Sequence, residues 1–485
     1  MKLVHGKAAV ASQHFISSLI GLKILENGGN AFDAAIAMSA ALSVVLPQTG
    51  GPGGDGFLLA STPKGLIAYN GSGKSPKNFD AEKFINEKPM IGPLTITVPG
   101  LVDMWKWIAE RYCRFELKKL LSPAIQLAKE GFIVNRELAQ SIARFKGNDE
   151  DYLRLYANKK MGDILIQKEL GLVLETIAKD PESFYRGKLA ETIINGLNKK
   201  GVAIDIDDFA EHKGEEMNTI NIKFLGYDIH ELPPNTQGIT TLEILNYVEK
   251  EGLYKLDFAD SKRLEEHIKI AAMAYEDRDK YIGDPRFMEI DTYELLKLKR
   301  NASNIRLNIG DTTFLVVSDK EGNIVGLIQS LFHHFGSGII VNGVIMQNRA
   351  IGFARKKGLP NSPAGNKRPL HTLSIAYAEK DERKIMLGCA GGDLRPQIHA
   401  EVLENIICYS MDLGRAIDAP RFMLMEWGEN MKISYENRIK LNIANAEAVD
   451  PYSRSMGVCN AIEYSEGSYK ASSDPRSEGV ALAIF

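Results

Sequence analysis

The sequence predicts a mixed fold of the α/β (α+β) class, built as a layered sandwich of sheets and helices around one core. Three observations predict it. Helical spacing of apolar residues dominates most of the first 310 residues, and short strands separated by turns dominate the remainder. No low-complexity linker and no internal repeat separates the two parts. Because strands need a sheet to pair in and helices to cover it, the simplest architecture is a sandwich to which both parts contribute.

The first quarter of the chain alternates helix and strand patterns. Residues Ser17 to Glu26 have helical spacing and end before Gly28, a residue type that often stops a helix. A second, apolar helix is expected from about Asp33, with Asn30 as its cap. A glycine-rich segment at 46–57, LPQTGGPGGDGF, then leads into two short strand-like runs, FLLAS and GLIAYN.

Helical patterns dominate the middle of the chain. They run from Val98 to about Ile204 and again from Leu242 to Tyr281, where apolar residues recur at i, i+3 and i+4. From Thr312 onward the pattern changes to strands, which include TTFLVVSD, NIVGLIQS, GIIVNGVIM, LSIAYAE and RKIMLGCA. We therefore divide the chain into a helix-rich part, 1–311, and a strand-rich part, 312–485, that share one core.

The composition is that of an ordinary soluble globular protein, with 485 residues of which 44% are hydrophobic and 25% charged. A net charge of −3 and the lack of a basic run argue against a nucleic-acid partner. The nine histidines form no HExxH or paired i, i+4 pattern, so we expect no metal, and no other cofactor is indicated. The four cysteines are widely spaced without any CxxC and are expected to be reduced or buried.

No apolar segment has the length of a membrane span. The longest apolar stretch, Ala34 to Leu46, contains two serines and predicts a buried core helix. The opening run MKLVHGKAAVAS has no uninterrupted apolar region of signal-peptide length. We therefore expect a cytoplasmic protein without a membrane partner.

Three segments of the second part are candidates for chemistry. The turn GDTT at 310–313 leads directly into a strand, GCAGGD at 388–393 joins a strand to a helix-like stretch, and KRPLHT at 367–372 leads into another strand. Each has an ordinary structural explanation, because threonine is a common strand residue and paired glycines often form tight turns. Adjacent glycines can also present backbone N–H groups to a developing oxyanion. The three segments are more informative together than singly.

The order and wording of these segments resemble the gamma-glutamyltransferase family, colinearly from about Ala8 to Gly479. The matching stretches of the first part are KILENGGNAFDAAIA, LPQTGGPGGDGFLL, TVPGLVDMW, FYRGKLAETI, LPPNTQG and AYEDRDKYIGDP. Those of the second part are TTFLVVSDKEGNIV, FGSGI, NKRPLHTLS, CAGGD and SDPRSEG. The resemblance implies a four-layer αββα sandwich of the N-terminal-nucleophile hydrolases, made as an inactive precursor that cuts itself before a threonine. The cut would fall between Asp311 and Thr312.

The resemblance also implies the chemistry of the site. The freed α-amine of Thr312 would act as general base for its own hydroxyl, since a reference pKa near ~8 leaves a useful fraction neutral at pH 7. Ser330 falls on the family's second hydroxyl position and would hydrogen-bond the nucleophile. Gly391 and Gly392 correspond to the glycines of the oxyanion hole, whose backbone N–H groups would face the acyl oxygen.

The positions that hold a γ-glutamyl group in the family differ in this sequence. Ser72 stands where the family has an arginine for the substrate's α-carboxylate, and Phe332 replaces an asparagine. The acidic residue that receives the α-amino group falls near Gly352. A site that binds a group through charged hydrogen bonds loses orders of magnitude in rate when those partners vanish, so we expect a different acid or amide as substrate. The candidate substrate contacts are Ser72, Lys74, Arg349, His371, Thr372 and Arg395.

The favoured function is hydrolysis of a small amide, or acyl transfer from it, through an acyl-enzyme on Thr312. The sequence resembles most the branch that contains oxamate amidohydrolase-type proteins. Two other enzymatic functions stay open: a true gamma-glutamyl hydrolase or transpeptidase acting on glutathione-like donors, and a cephalosporin-acylase-like activity. A non-enzymatic alternative is an unprocessed, catalytically silent relative that acts as a binding protein. The expected partners are a small-molecule substrate and the other fragment of the self-cleaved chain, in a heterodimer or a higher oligomer.

Overall fold

The computed structural model describes residues 3–297 and 301–485. Its helices are α1 (Phe15–Glu26), α2 (Ala31–Val45), α3 (Ala81–Glu87), α4 (Leu101–Tyr112), α5 (Leu117–Glu130), α6 (Arg136–Arg144), α7 (Glu150–Leu155), α8 (Lys168–Lys179), α9 (Lys188–Lys199), α10 (Ile206–Ala210), α11 (Gly238–Lys250), α12 (Ser261–Tyr281), α13 (Thr292–Leu295), α14 (Arg395–Ile407) and α15 (Leu413–Asp418). Its strands are β1 (Leu3–Gly6), β2 (Ala8–Ser12), β3 (Asp55–Thr62), β4 (Gly65–Asn70), β5 (Phe132–Ile133), β6 (Ile164–Leu165), β7 (Glu215–Met217), β8 (Ile220–Phe224), β9 (Tyr227–Glu231), β10 (Ile305–Arg306), β11 (Asp311–Ser318), β12 (Ile324–Phe332), β13 (Ile340–Val341), β14 (Val344–Ile345), β15 (Ala376–Lys380), β16 (Arg383–Ala390), β17 (Phe422–Trp427), β18 (Lys432–Glu436), β19 (Ala446–Val449), β20 (Val458–Ser465), β21 (Ser468–Ser473) and β22 (Val480–Ile484).

Two seven-stranded antiparallel sheets form the centre of the molecule. The first has the strand order β22-β2-β11-β12-β3-β4-β7, and the second has the order β1-β21-β20-β16-β15-β9-β8. In both sheets, strands from before and after residue 311 are neighbours. For example, β11 pairs with β2 and β12 pairs with β3 in the first sheet, while β15 pairs with β9 in the second. Distant parts of the chain are therefore joined within each sheet.

Three apolar interfaces separate four layers of secondary structure. Phe314 and Val316 of β11 point between the two sheets and pack in one cluster with Met386 of β16. Leu315 and Val317 of the same strand point to the opposite face and pack with residues of α2, α4 and α5. Because successive side chains of a strand point to opposite faces, one strand serves two interfaces. Residues of α11, α12 and α14 cover the outer face of the second sheet, so the predicted αββα sandwich is confirmed.

The N-terminal helices follow the sequence pattern. The side chain of Asn30 accepts from the backbone N–H groups of Phe32 and Asp33, at 2.9 and 3.0 Å, and the Asp33 carboxylate accepts from the Asn30 N–H at 2.9 Å. This reciprocal capping box fixes the start of α2, as predicted. Every residue of α2 is buried, which confirms the predicted core helix. Among the described residues, no helix is long and apolar enough to cross a membrane.

The strands β7 to β9 lie where the sequence analysis predicts none. β8 and β9 form a hairpin whose turn residues, Leu225 and Gly226, have φ values of +48° and +86°. Positive φ at both turn residues suits the twist of a two-residue hairpin. The alternation of Ile220, Ile222 and Phe224 with polar residues is the signal that could have identified this hairpin.

A buried charge cluster joins α12 to α14. Glu404 accepts a hydrogen bond from Arg263 Nη2 at 2.7 Å, and His267 Nε2 lies 2.8 Å from the other carboxylate oxygen. Burial disfavours the charge, but His267 and Arg263 outweigh it and lower the pKa of Glu404 from 4.5 to about 2. The stabilising contribution of the Glu404 carboxylate is therefore fully present above pH 4.5 and is lost as the pH falls through about 2.

Glu404→Gln is expected to lower the free energy of unfolding at pH 7 by ~3–5 kcal/mol, because it leaves the buried Arg263 guanidinium without a counter-charge. Chemical denaturation measures the change. Glu266→Gln is the matched control. Glu266 lies on α12, the helix of Arg263, and its ion pair with Lys269 is open to solvent and contributes at most ~0.5 kcal/mol. Equal losses for the two variants would show that Arg263 does not depend on Glu404.

Candidate active site

Thr312 is buried near the start of β11, in the middle of the first sheet. β11 pairs with β12, but the register shifts between Asp311 and Thr313, so a bulge falls at Thr312. A bulge disrupts the hydrogen-bonded ladder locally. Side chains bond the peptide that joins Asp311 to Thr312 instead. The Thr312 N–H donates to the Asp311 carboxylate at 2.8 Å, and the Ser330 hydroxyl donates to the Asp311 carbonyl oxygen at 2.9 Å.

The Thr312 hydroxyl has two polar neighbours. It donates to Ser330 Oγ at 3.4 Å and accepts from Arg395 Nη2 at 3.2 Å. Arg395 is fully buried at the start of α14, where its Nε donates to the Cys389 carbonyl oxygen at 2.8 Å. Burial lowers the pKa of Arg395. The sequence predicts Arg395 as a substrate contact, but in the structure it contacts the predicted nucleophile itself. A guanidinium beside a hydroxyl favours negative charge on the hydroxyl oxygen.

The Asp311 carboxylate is held by Arg454 and His334. Arg454 Nη2 donates to both carboxylate oxygens at 2.9 Å, and His334 Nε2 bonds to Oδ2. Burial disfavours the carboxylate, but Arg454 and His334 outweigh it and hold the pKa of Asp311 well below its usual value. Glu137 lies 2.6 Å from the same Nη2 atom of Arg454, and burial raises the pKa of Glu137 to about 7. We call Arg454, His334 and Glu137 the Asp311 anchor.

The glycine loop, Gly391 and Gly392, packs against the segment that precedes Thr312. A Cβ on Gly392 would lie 2.2 Å from the Gly310 nitrogen, and the φ of Gly392 is +59°, a left-handed conformation that favours glycine. The β16 ladder ends at Ala390 and α14 begins at Arg395. Gly391 caps and Gly392 opens a short 3-10 helix, Gly392–Leu394, and the first N–H groups of a helix have no partner within it. This arrangement is suited to binding an oxyanion.

Buried side chains from two distant segments hold the glycine loop. Gln237 Nε2 donates to the carbonyl oxygens of Gly392 and Thr372 at 2.9 and 3.0 Å. Arg278 Nη1 donates to Gln237 Oε1 at 3.0 Å and to Asp393 Oδ1 at 2.9 Å. The motifs LPPNTQG, AYEDRDKY and CAGGD, which are far apart in the sequence, thus meet at one loop.

Arg349 is fully buried beside Thr372, whose carbonyl oxygen shares the Gln237 side chain with that of Gly392. Its Nη1 lies 3.4 Å from Thr372 Oγ1, and its guanidinium carbon lies 4.4 Å from the centre of the Phe332 ring. The Nε and Nη2 atoms find no hydrogen-bond partner in the described part of the chain. Burial lowers the pKa of Arg349 to about 9, although the nearby Asp55 carboxylate opposes the shift. Unbonded N–H groups on a buried guanidinium are costly unless a ligand accepts from them.

His371 is also fully buried, but its ring is already occupied. Its Nδ1 accepts from the Leu373 N–H at 3.3 Å, and its Nε2 therefore donates to Asp55 Oδ2 at 3.1 Å. Burial and the charges of Arg349 and Arg395 hold the pKa of His371 well below its usual value. Burial also raises the pKa of Asp55, to about 6. His371 is thus a neutral, structurally engaged ring rather than a cation for a substrate carboxylate.

Two other predicted contacts, Ser72 and Lys74, make no hydrogen bond with Thr312 in the described structure. Ser72 is buried, where its hydroxyl donates to Asn70 Oδ1 at 2.6 Å and accepts from Asn235 Nδ2 at 3.4 Å. Lys74 lines a small cleft together with Asp208. It lines neither of the two larger cavities whose walls include parts of the segment 303–311, which precedes Thr312. The structure therefore does not bring Lys74 together with the predicted nucleophile, and it shows Ser72 engaged with its own neighbours.

Two cavities flank the segment that precedes Thr312. One of about 590 Å³ is lined by Phe332 and Thr372, and one of about 500 Å³ is lined by His334 and Gly391. Residues 303–306 and Asn308 line the first cavity, and residues 309–311 line the second. In the uncleaved chain Thr312 is only 1% exposed, so a substrate cannot reach its hydroxyl.

Several residues of the site have no role in the sequence analysis. Asp55 and Arg278 lie inside stretches that carry the family resemblance, so their place in those stretches was an available signal. Arg454 and His334 lie outside every matching stretch. Their convergence on Asp311 is visible only in three dimensions.

The chain is similar to known proteins over nearly its whole length. Residues 17–484 match the family model described as gamma-glutamyltranspeptidase. A Bacillus subtilis relative, the glutathione hydrolase-like YwrD proenzyme, is 33% identical over 99% of this chain and 98% of its own length. The oxamate amidohydrolase proenzyme of Klebsiella pneumoniae is 30% identical over 98% of each chain. Among solved structures, cephalosporin acylase from Bacillus halodurans is similar with a TM-score of 0.89 and 29% identity, over 100% of this chain and 97% of that one.

Proposed function

The chain belongs to the gamma-glutamyltranspeptidase family, whose members are hydrolases and transpeptidases, and on this basis we propose that it is a self-cleaving amide hydrolase or acyltransferase. Thr312 is its nucleophile. The observation that carries the proposal is the Thr312 hydroxyl, which lies at a strand bulge in contact with Ser330 and Arg395. The segment just before Thr312 packs on the glycine loop, so oxyanion donors lie close by.

Self-cleavage begins when the Thr312 hydroxyl oxygen attacks the carbonyl carbon of Asp311. The C–N bond then breaks, the hydroxyl proton passes to the departing nitrogen, and an ester joins Asp311 to Thr312 Oγ1. Water hydrolyses this ester, which leaves a carboxylate on Asp311 and a free amine and hydroxyl on Thr312. The Ser330 hydroxyl, 2.9 Å from the Asp311 carbonyl oxygen, polarises that carbonyl before the attack.

The same residue then serves turnover. The freed α-amine takes the hydroxyl proton as Thr312 Oγ1 attacks the substrate carbonyl, and it returns the proton to the departing amine. The N–H groups of Gly391 and Gly392 bind the acyl oxygen, and Arg395 stabilises negative charge on Oγ1. Water or an acceptor amine releases the acyl group from Thr312, which is the choice between hydrolysis and transfer.

The burial of Thr312 supports an inactive precursor. Residues 303–306 and Asn308 line one of the cavities beside it, residues 309–311 line the other, and Gly310 packs directly on Gly392. Cleavage creates a chain end at Asp311, which frees this segment to move off the glycine loop. The names of the relatives from Bacillus subtilis and Klebsiella pneumoniae, both called proenzymes, agree with this account.

The substrate class follows from the cation that lacks partners. Arg349 is buried between Phe332 and Thr372 with two N–H-bearing nitrogens unbonded in the described residues. Two N–H groups of one guanidinium match the two oxygens of a carboxylate. Phe332 and Gly352 line the cavity of about 590 Å³ and offer no side-chain acceptor for an α-ammonium group. The carboxylates of that cavity already bond to other side chains: Glu276 to Ser303, and Asp279 and Asp393 to Arg278. The substrate is therefore a small carboxylated amide without an α-amino group, such as oxamate or a longer dicarboxylic monoamide.

Wild-type processed enzyme is expected to show a higher kcat/KM for oxamate, malonamate or succinamate than for γ-glutamyl anilides and glutathione. Arg349→Met should lower kcat/KM for the best carboxylated amide by roughly 30- to 100-fold, the equivalent of ~2–3 kcal/mol for a charge-assisted hydrogen bond. Steady-state kinetics on both donor classes measure the effect, because kcat/KM reports transition-state binding.

Arg415→Met is the matched control, since it removes an exposed guanidinium of α15 whose ion pair with Asp412 lies in solvent. It should leave both donor classes unchanged. Efficient γ-glutamyl turnover by the wild type, at or above the rate for small amides, would contradict the assignment of the substrate class.

Gamma-glutamyl hydrolysis is the second candidate, favoured by the 33% identical relative named glutathione hydrolase-like. In that case Arg349 would hold the α-carboxylate of the γ-glutamyl group in place of the arginine that Ser72 replaces. Arg349→Met would then reduce γ-glutamyl turnover more than it reduces turnover of oxamate, which separates the two candidates.

A further inference from the structure

Two side chains that the turnover chemistry does not use, Arg454 and His334, hold the residue on the acyl side of the predicted cut. Asp311 accepts two hydrogen bonds from Arg454 Nη2, both at 2.9 Å, and is bonded to His334 Nε2. Its carboxylate in turn accepts the Thr312 N–H at 2.8 Å. Strand pairing does not explain these contacts of the Asp311 carboxylate, since the register shift at Thr312 interrupts the β11–β12 ladder there.

We propose that Arg454 and His334 are positioning residues for self-cleavage, which hold the Asp311 carboxylate so that the scissile peptide keeps the orientation that Thr312 attacks. The inference rests on the proposed self-cleavage and adds to it the residues that prepare the bond. It assigns a role to the Asp311 anchor that neither the family resemblance nor the sequence pattern indicated.

The peptide plane is fixed from both of its polar edges. The Ser330 hydroxyl bonds the carbonyl oxygen of Asp311, and the Asp311 carboxylate bonds the N–H of Thr312. At a bulge these two groups lack regular ladder partners, so the plane would otherwise be free to rotate. A carboxylate can restrain the N–H only if it is itself immobile, and Arg454 and His334 supply that restraint. Misplacement of a reacting group by about 1 Å can cost on the order of 100-fold in rate.

The contacts of Arg454 favour Asp311 over its other acidic neighbour. Arg454 donates to both oxygens of Asp311, whereas Glu137 lies 2.6 Å from Nη2 without hydrogen-bond geometry. Neither carboxylate oxygen of Glu137 has a hydrogen-bond partner among the described residues. Glu137 therefore contributes charge to the Asp311 anchor, and Asp311 is the group that Arg454 orients.

The charge of Asp311 also suits the chemistry of the departing nitrogen. During cleavage the Thr312 nitrogen gains a proton and becomes an amine. A carboxylate oxygen 2.8 Å away stabilises positive charge that develops on this nitrogen. The carboxylate forms and breaks no covalent bond in this role.

Self-cleavage kinetics of the full chain test the proposal. A pulse of cell-free synthesis followed by a chase on denaturing gels gives the rate at which the precursor disappears. Arg454→Met and Asp311→Asn are each expected to slow cleavage by about 10- to 100-fold, His334→Gln to slow it to a smaller extent, and Arg454→Lys to restore part of the rate. Arg144→Met is the matched control, because Arg144 lines the same cavity and makes no contact with Asp311; it should cleave at the wild-type rate.

The pH profile separates positioning from general stability. The charged and titratable groups around Asp311 are Arg454, His334 and Glu137, with Arg144, His333 and Glu478 further out. In the wild type Asp311 stays ionised between pH 5 and 8, because Arg454 and His334 hold its pKa low. Without Arg454, burial raises the pKa of Asp311, so the cleavage rate of Arg454→Met should fall progressively as the pH drops from about 8 to 5 relative to wild type.

The turnover of slowly processed protein decides between a role in cleavage and a role in substrate binding. Cleaved Arg454→Met, separated from its precursor, should hydrolyse the best amide with kcat/KM within about threefold of wild type. Cleavage of Arg454→Met and Asp311→Asn at the wild-type rate would overturn the proposal, as would a loss of turnover in cleaved Arg454→Met equal to its loss in cleavage rate. A wild-type chain that never cleaves would instead refute the proposed function, so the two failures are distinct.

Discussion

Replacing Thr312 by alanine is expected to leave a single polypeptide of 53.7 kDa and to abolish amide hydrolysis. The variant lacks the hydroxyl oxygen that contacts Ser330 and Arg395 and that attacks the carbonyl carbon in the proposed mechanism. Loss of a covalent nucleophile typically lowers kcat by on the order of 10⁴- to 10⁶-fold. Denaturing gels and amidase assays of the purified variant measure both effects.

Thr313→Ala is the matched control for Thr312→Ala. Thr313 is equally buried on the same strand, and its hydroxyl lies 3.4 Å from the Gln329 carbonyl oxygen, away from the predicted cut. This variant should cleave and hydrolyse amides within a few fold of wild type. Cleavage and full activity in Thr312→Ala would move the nucleophile to another residue.

Gly392→Ala is expected to have the second largest effect, on both cleavage and turnover. The added Cβ would lie 2.2 Å from the Gly310 nitrogen and would force the loop away from the segment before Thr312. The φ of +59° adds backbone strain to the clash. Displacing an oxyanion donor costs on the order of 10²- to 10³-fold in kcat, and self-cleavage should slow in parallel.

The control for this glycine is Gly358→Ala. Gly358 has a φ of +86° and nothing within 4 Å of an added Cβ, so the variant carries similar backbone strain without a clash at the site. Thermal unfolding of Gly358→Ala measures the strain alone, and that of Gly392→Ala measures the strain and the clash together. A Gly392→Ala enzyme with wild-type kcat and a lowered melting temperature would reduce the glycine loop to a structural turn.

The layered architecture could be predicted because its signals are local. Helical and strand periodicities are written in consecutive residues, as in α2, whose cap at Asn30 and apolar run predicted both its start and its burial. The β8–β9 hairpin was omitted although its alternation is regular. Its two strands have only five residues each, so the alternation extends over few positions.

The site could be predicted only where the family resemblance marked it. Thr312 contacts Ser330, and the glycine loop packs against Gly310, while the catalytic roles that the resemblance implies for these residues stay predictions. The partners that tune the site could not be read from the sequence, because Arg454 lies 143 residues from the carboxylate that it holds. His371 was interpreted as a polar contact, yet burial against Asp55 leaves it neutral, and burial is a property of the fold rather than of the motif.

The most direct test of the central claim is the intact mass and N-terminal sequence of the purified wild-type protein under denaturing conditions. Self-cleavage before Thr312 predicts two polypeptides of about 34 and 19 kDa, which share the 53.7 kDa between 311 and 174 residues. The smaller one should begin Thr-Thr-Phe-Leu, from Thr312. A single 53.7 kDa polypeptide with full amidase activity would contradict the proposed mechanism, because an uncleaved Thr312 has no free α-amine to act as the base.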